Sequence, residues 1–183
     1  MILNLWWHHK NKPDFEANIK ITDNMKRNNE LLTALNSLLI EKLTTINQLM
    51  VYSEMCENLG YSNLHKAIQK QAMDQMLLAE WLMERIRFCE GSAPLSKLNR
   101  IMIGKTVSEL IGKYETDELE AFQSYSNAIE LASRVNDNET VEVLSKILMK
   151  EKGHASWAQN QRAEIENKGM EKYLLNHLGR LVN

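Results

Sequence analysis

Four long stretches of this chain repeat their apolar residues with the period of a helix, and the connections between them are short, long and short. From Asn28 to about Leu59 apolar side chains fall at 31, 35, 38, 39, 43, 46, 49 and 50, which is one face of an amphipathic helix. Gly60 ends that stretch. A second helix is predicted from Asn63 to Glu90, with Leu64, Ile68, Met76, Leu82, Met83 and Ile86 apolar, closed by Gly91 and Pro94. Ser92 to Lys105 carries only scattered leucines and reads as a long crossover. Thr106 is placed to cap a third helix running to about Val135. After Asn136-Asp137-Asn138 a fourth runs to about Lys168, where Gly169 stops it, and a short fifth is predicted from Glu171 to Leu181. This pattern predicts an all-α four-helix bundle in which the long crossover joins the second and third helices.

Composition agrees. Only 7 Gly and 2 Pro occur in 183 residues, and 44% of the residues are hydrophobic against 25% charged, which suits one helical domain with a real core. The formal charge of -2, without a Lys/Arg stripe, argues against nucleic acid as a partner. No apolar run is long enough for a membrane span. Cys56 and Cys89 would sit at opposite ends of one helix hairpin, separated along its second helix by roughly 35–40 Å at the helical rise, so reduced core thiols in a cytoplasmic protein are expected. Residues 1–24 lack a sustained period and lack the pattern of a signal peptide. They are expected to be a flexible extension, or to lie upstream of a true start at Met25, with the bundle domain spanning 25–183. His8 and His9 have no third ligand nearby and read as part of that tail.

The apolar stripes are interrupted by polar residues near the middle of each helix: Lys42, Gln75, Glu118, and on the fourth helix Glu151 with His154. Three residues apart, Glu151 and His154 point the same way. Midpoints share a level in a bundle whichever way its helices run. Buried polar groups must pair or coordinate something, so the convergence predicts either a structural polar network or a present or former metal site, and the match in level favours the metal.

At these residues the chain resembles the bacterioferritins. The strings that carry the resemblance are Thr45-Ile46-Asn47-Gln48, Asp74 with Met76, Ala79-Glu80, Glu84-Arg85-Ile86, Phe88-Cys89-Glu90-Gly91, Ile103-Gly104, Gly153-His154 with Trp157, and Gly169 with Tyr173-Leu174. The resemblance implies a ferritin-like bundle, a hollow shell of twenty-four subunits and an iron mineral inside it. It also implies a di-iron ferroxidase site built from a glutamate on helix one, Glu-x-x-His on helix two, a glutamate on helix three and Glu-x-x-His on helix four. Glu118, Glu151 and His154 match the second half of that set. The first half is replaced by Lys42, Gln75 and Leu78, and neither a protonated lysine nor a leucine ligates a metal. A bound di-iron centre is therefore not expected. Lys42 is expected to act as a built-in counter-cation, ion-paired with Glu118 or Glu151, with a protonated His154 completing the charge balance.

Met76 follows Gln75 by one step and is rotated about 100° away from the bundle interior. By resemblance it is the axial ligand of haem b, shared across a two-fold axis, with Leu43, Ile46, Asn47, Met50, Met73, Leu77 and Glu80 as the pocket. The expected function is an iron-storage cage subunit that binds haem, lacks its own ferroxidase activity, and co-assembles with a ferroxidase-competent paralogue, with a ferredoxin-type reductant as a further partner. Two alternatives stand beside it: a metal oxidase using a mononuclear site at Glu118, Glu151 and His154, and a purely structural helical oligomer. Haem content and metal content separate the three.

Overall fold

A computed structural model describes the backbone of residues 12–101 and 103–179, with side chains from residue 28 onward. Five helices follow in order: α1 (Lys12–Asn58), α2 (Ser62–Phe88), α3 (Val107–Arg134), α4 (Asn138–Lys168) and the short α5 (Met170–Asn176). No strand occurs among the described residues. His8 and His9 lie outside them.

α1 begins at Lys12, well before the apolar period that starts at Asn28. Pro13 falls in its first turn, where a missing N–H and a fixed φ are tolerated, and the residues that follow permit a helix without marking a buried face. Propensity thus continues α1 where periodicity is silent. The other starts follow their caps. The Thr106 hydroxyl accepts from Glu109 N, while Glu109 Oε2 reaches back to Lys105 N at 2.7 Å, and Asp137 accepts from Thr140 N at 3.0 Å. Gly60 takes φ +83° between α1 and α2, a conformation that costs a glycine little.

α5 ends at Asn176, shorter than predicted. The chain then folds onto the α1–α2 turn: Asn63 N donates to His177 O and Asn63 Nδ2 to Leu178 O, at 3.2 and 3.0 Å. Those bonds compete with continued helix for the same carbonyls. Tyr173, fully buried, anchors α5 through a 2.9 Å bond to Gln161.

The bundle core is divided. One apolar cluster gathers Leu35, Leu39, Leu82, Ile86, Tyr125 and Leu144; the other gathers Leu49, Tyr52, Ile68, Ile111, Tyr114 and Ala158. Along α2, α3 and α4 the change from one cluster to the other falls at Gln75, Glu118 and Glu151–His154, so the seam between the clusters is polar. At the end of the first cluster Arg85 ties α2 to the start of α4, bonding Asp137 and Glu139 at 2.7 Å each and Thr140 Oγ1 at 2.5 Å.

Candidate functional site

Four helices each send a polar group into the seam. Lys42 of α1 is 3% exposed, Gln75 of α2 and Glu151 of α4 are fully buried, and Glu118 of α3 and His154 of α4 are nearly so. Lys42 Nζ donates to Gln75 Oε1 at 2.7 Å and ion-pairs with Glu151 Oε1 at 2.8 Å. The Gln75 amide faces the other way, 3.0 Å from Glu118 Oε1, 3.3 Å from Glu151 Oε2 and 2.9 Å from His154 Nδ1. Because Lys42 can only donate, its contact fixes which end of the amide is oxygen. Gln75 is the hub: it accepts from the cation and donates toward the acids. His154 Nδ1 lies 2.9 Å from the Gln75 amide nitrogen and 3.5 Å from Glu151 Oε2.

The two carboxyl groups are not equivalent. Burial alone would raise Glu151, but the Lys42 charge, aided by hydrogen bonds from Glu118, His154 and Lys42, holds it well below the usual carboxylate range. Glu118 is pushed well above that range, first by burial and then by the Glu151 carboxylate, with Lys42 opposing. Glu118 Oε2 finds no hydrogen-bond donor among the described residues, so of the two buried carboxyl groups it is Glu118 that is favoured in its protonated form. The expected ion pair is formed by Glu151.

Tyr114 and Tyr125 flank the cluster, with the Tyr125 ring 5.7 Å from Lys42 Nζ. Burial pushes both phenols well above their usual range. Leu78 is buried in the apolar cluster beside the seam and offers it no donor atom. A polar cleft of about 270 Å³ opens to the cluster from the surface, with Glu41, Lys42, Gln48, Lys113, Asp117 and Glu118 among its walls.

On the outside of the α1–α2 pair lies a different surface. Met76 is 43% exposed and Met73 63%. With Met50 of α1 they line a groove of about 150 Å³ that also touches Ser53, Glu54, Gln69 and Ala72. Leu77, Asn47 and Glu80 are exposed on the same helix pair, Leu43 is half-buried, and Ile46 turns into the core. Met76 thus points out of the bundle, as its offset from Gln75 requires.

Residues 32–167 match the family described as Ferritin-like domain. The chain is 32% identical over 152 residues to the bacterial ferritin of Synechocystis sp., covering 82% of this chain and 97% of that protein. The bacterioferritin of Streptomyces coelicolor is 29% identical over 150 residues, 82% of this chain and 90% of its own length, and that of Brucella melitensis 26% identical over 149 residues, 81% and 92%. The chain belongs to the bacterioferritin family of ferritin-like proteins.

For a bacterioferritin, its seam is poorly suited to two metal ions. Donor atoms of Glu118, Glu151 and His154 all lie within 4.8 Å of one another, but the opposite side is closed by an ammonium, an amide and, one turn on, a hydrocarbon. Two ferrous ions need negative charge that Gln75 and Lys42 do not supply. Tyr114 and Tyr125 were not singled out as site residues by sequence. Their spacing was available as a signal: four before and seven after Glu118, they share its helix face.

Proposed function

We propose that this chain is an iron-storage cage subunit of bacterioferritin type that carries haem b on Met76 at a two-fold subunit contact, has no ferroxidase centre of its own, and assembles with a catalytically complete paralogue. The observation that carries this reading is Lys42: its ammonium lies between Gln75 and Glu151, at 2.7 and 2.8 Å, where a metal set needs a carboxylate. The residues present do not fit a di-iron centre.

The outer face fits the haem. Met76 offers a thioether of the kind that ligates haem iron, and Met50, Met73, Leu77 and Leu43 supply an apolar wall. Bound haem would supply one-electron transfer across the shell. The chain's own part is to present the sulfur, exclude water with the methionine wall, and leave the groove open to a second subunit. Among the described residues no helix is long and apolar enough to cross a membrane.

Aerobic ferrous oxidation by the purified homomer, against a protein-free control, tests the first part. A rate near the control is expected, and rapid oxidation saturating with iron overturns it. Haem titration of the homomer and of Met76→Leu tests the second, with loss of the Soret-shifted species expected in the variant only. Co-expression with a paralogue having all six ligands should yield mixed cages that oxidise iron. A second reading, a mononuclear metal oxidase at Glu118, Glu151 and His154, is favoured by the closeness of those donors. Cobalt(II) absorption distinguishes it: d–d bands at stoichiometric metal would support it, and their absence would reject it.

A further inference from the structure

Three of the chain's 10 methionines line one small groove. Met73 and Met76, three residues apart on α2, stand on one helix face, and Met50 meets them from α1. All three are large apolar side chains left substantially exposed, at 51%, 63% and 43% for Met50, Met73 and Met76. A subunit contact needs apolar surface there but does not need sulfur, since leucine covers the same area with less rotamer freedom. The groove has no Lys, Arg or His among its lining residues, and Glu54 lies at its edge with Ser53 and Gln69.

We propose that Met50, Met73 and Met76 form a thioether site for a soft monovalent cation, copper(I) in the first instance. Thioethers are neutral and polarizable. They hold copper(I) and its analogue silver(I), and they discriminate against ferrous iron and zinc, which take imidazole and carboxylate. Three neutral donors leave the cation's charge uncompensated within the ligand set, and Glu54 at the edge offsets it. The site draws on Met76 but does not rest on the haem reading: the haem-free chain is the form that binds copper, and haem and copper(I) exclude each other.

The test is an anaerobic competition for copper(I) between the haem-free homomer, assembled as purified, and a chromophoric copper(I) chelator. Tight binding is expected, weakened at least about tenfold by Met50→Leu or Met73→Leu, with circular dichroism verifying the fold of each variant. Met149→Leu, on exposed α4 surface, and Cys56→Ser with Cys89→Ser should leave the affinity unchanged. No competition with the chelator overturns the proposal, as does binding that survives the Met50→Leu, Met73→Leu double variant or is lost with the cysteines. If Met76→Leu retains haem while copper(I) binding follows the methionines, the haem reading falls alone.

Discussion

Lys42 Nζ and Glu151 Oε1 stand 2.8 Å apart with side-chain exposures of 3% and 0%, an ion pair buried at the centre of a four-helix bundle. Lys42→Ala strands an ionised Glu151 and should cost about 3–5 kcal/mol, read as a lower urea midpoint. Adding Glu151→Gln should recover much of that loss, because the double variant buries no unpaired charge. A double variant less stable than either single would mean that the pair is not the interaction being broken.

Lys42→Glu with Gln75→Glu and Leu78→His converts the seam to the full acidic and imidazole set. The triple variant should oxidise ferrous iron faster than the parent and should lose stability when metal-free, since burying Leu78 contributes roughly 1.5–3 kcal/mol and three new polar groups need a partner. Unchanged oxidation in a folded triple variant would show that these three positions do not set the oxidation rate.

Asp137 gives an acid-range prediction. Burial pushes its carboxyl up, but the Thr140 hydroxyl and N–H, with Arg85, outweigh it and hold the group below its ordinary value. A folded pKa below the unfolded one contributes stability that is fully present above the unfolded value, about 4, and is lost as pH falls through the folded value. Asparagine caps a helix as well as aspartate does, so Asp137→Asn isolates the charge. Urea midpoints should fall less steeply below about pH 4 in the variant than in the parent.

Cys56 is buried, and burial pushes its thiol up to about 11. Cys89 is half-buried, raised by burial and partly relieved by Arg85. In native protein at pH 8 Cys89 should label first with a thiol reagent, and Cys56 only on unfolding. Equal labelling rates would contradict this packing.

Helix number, order and the long crossover were legible because each of α2, α3 and α4 has an apolar stripe, a cap or a stop: Thr106, Asp137, Gly60 and Gly169 lie where the chain turns. The start of α1 was not legible, because the sequence before Asn28 carries no sustained apolar period to read. The five polar residues of the seam were found by position, and the outward direction of Met76 by its angular offset. What sequence left open was which of the two acids would take Lys42. That choice depends on the Gln75 amide, whose direction is set only when Lys42 reaches its oxygen. Tyr114 and Tyr125 were hidden for a different reason: a tyrosine on an apolar stripe looks like any other core residue until a charge is placed beside it.

The Lys42–Glu151 pair has a consequence for when this bundle can close. A centre holding four carboxylates repels itself until cations arrive, whereas here the buried carboxylate meets its counter-ion as soon as the helices come together. Closing α1 against α4 then needs no metal to offset the charge of Glu151.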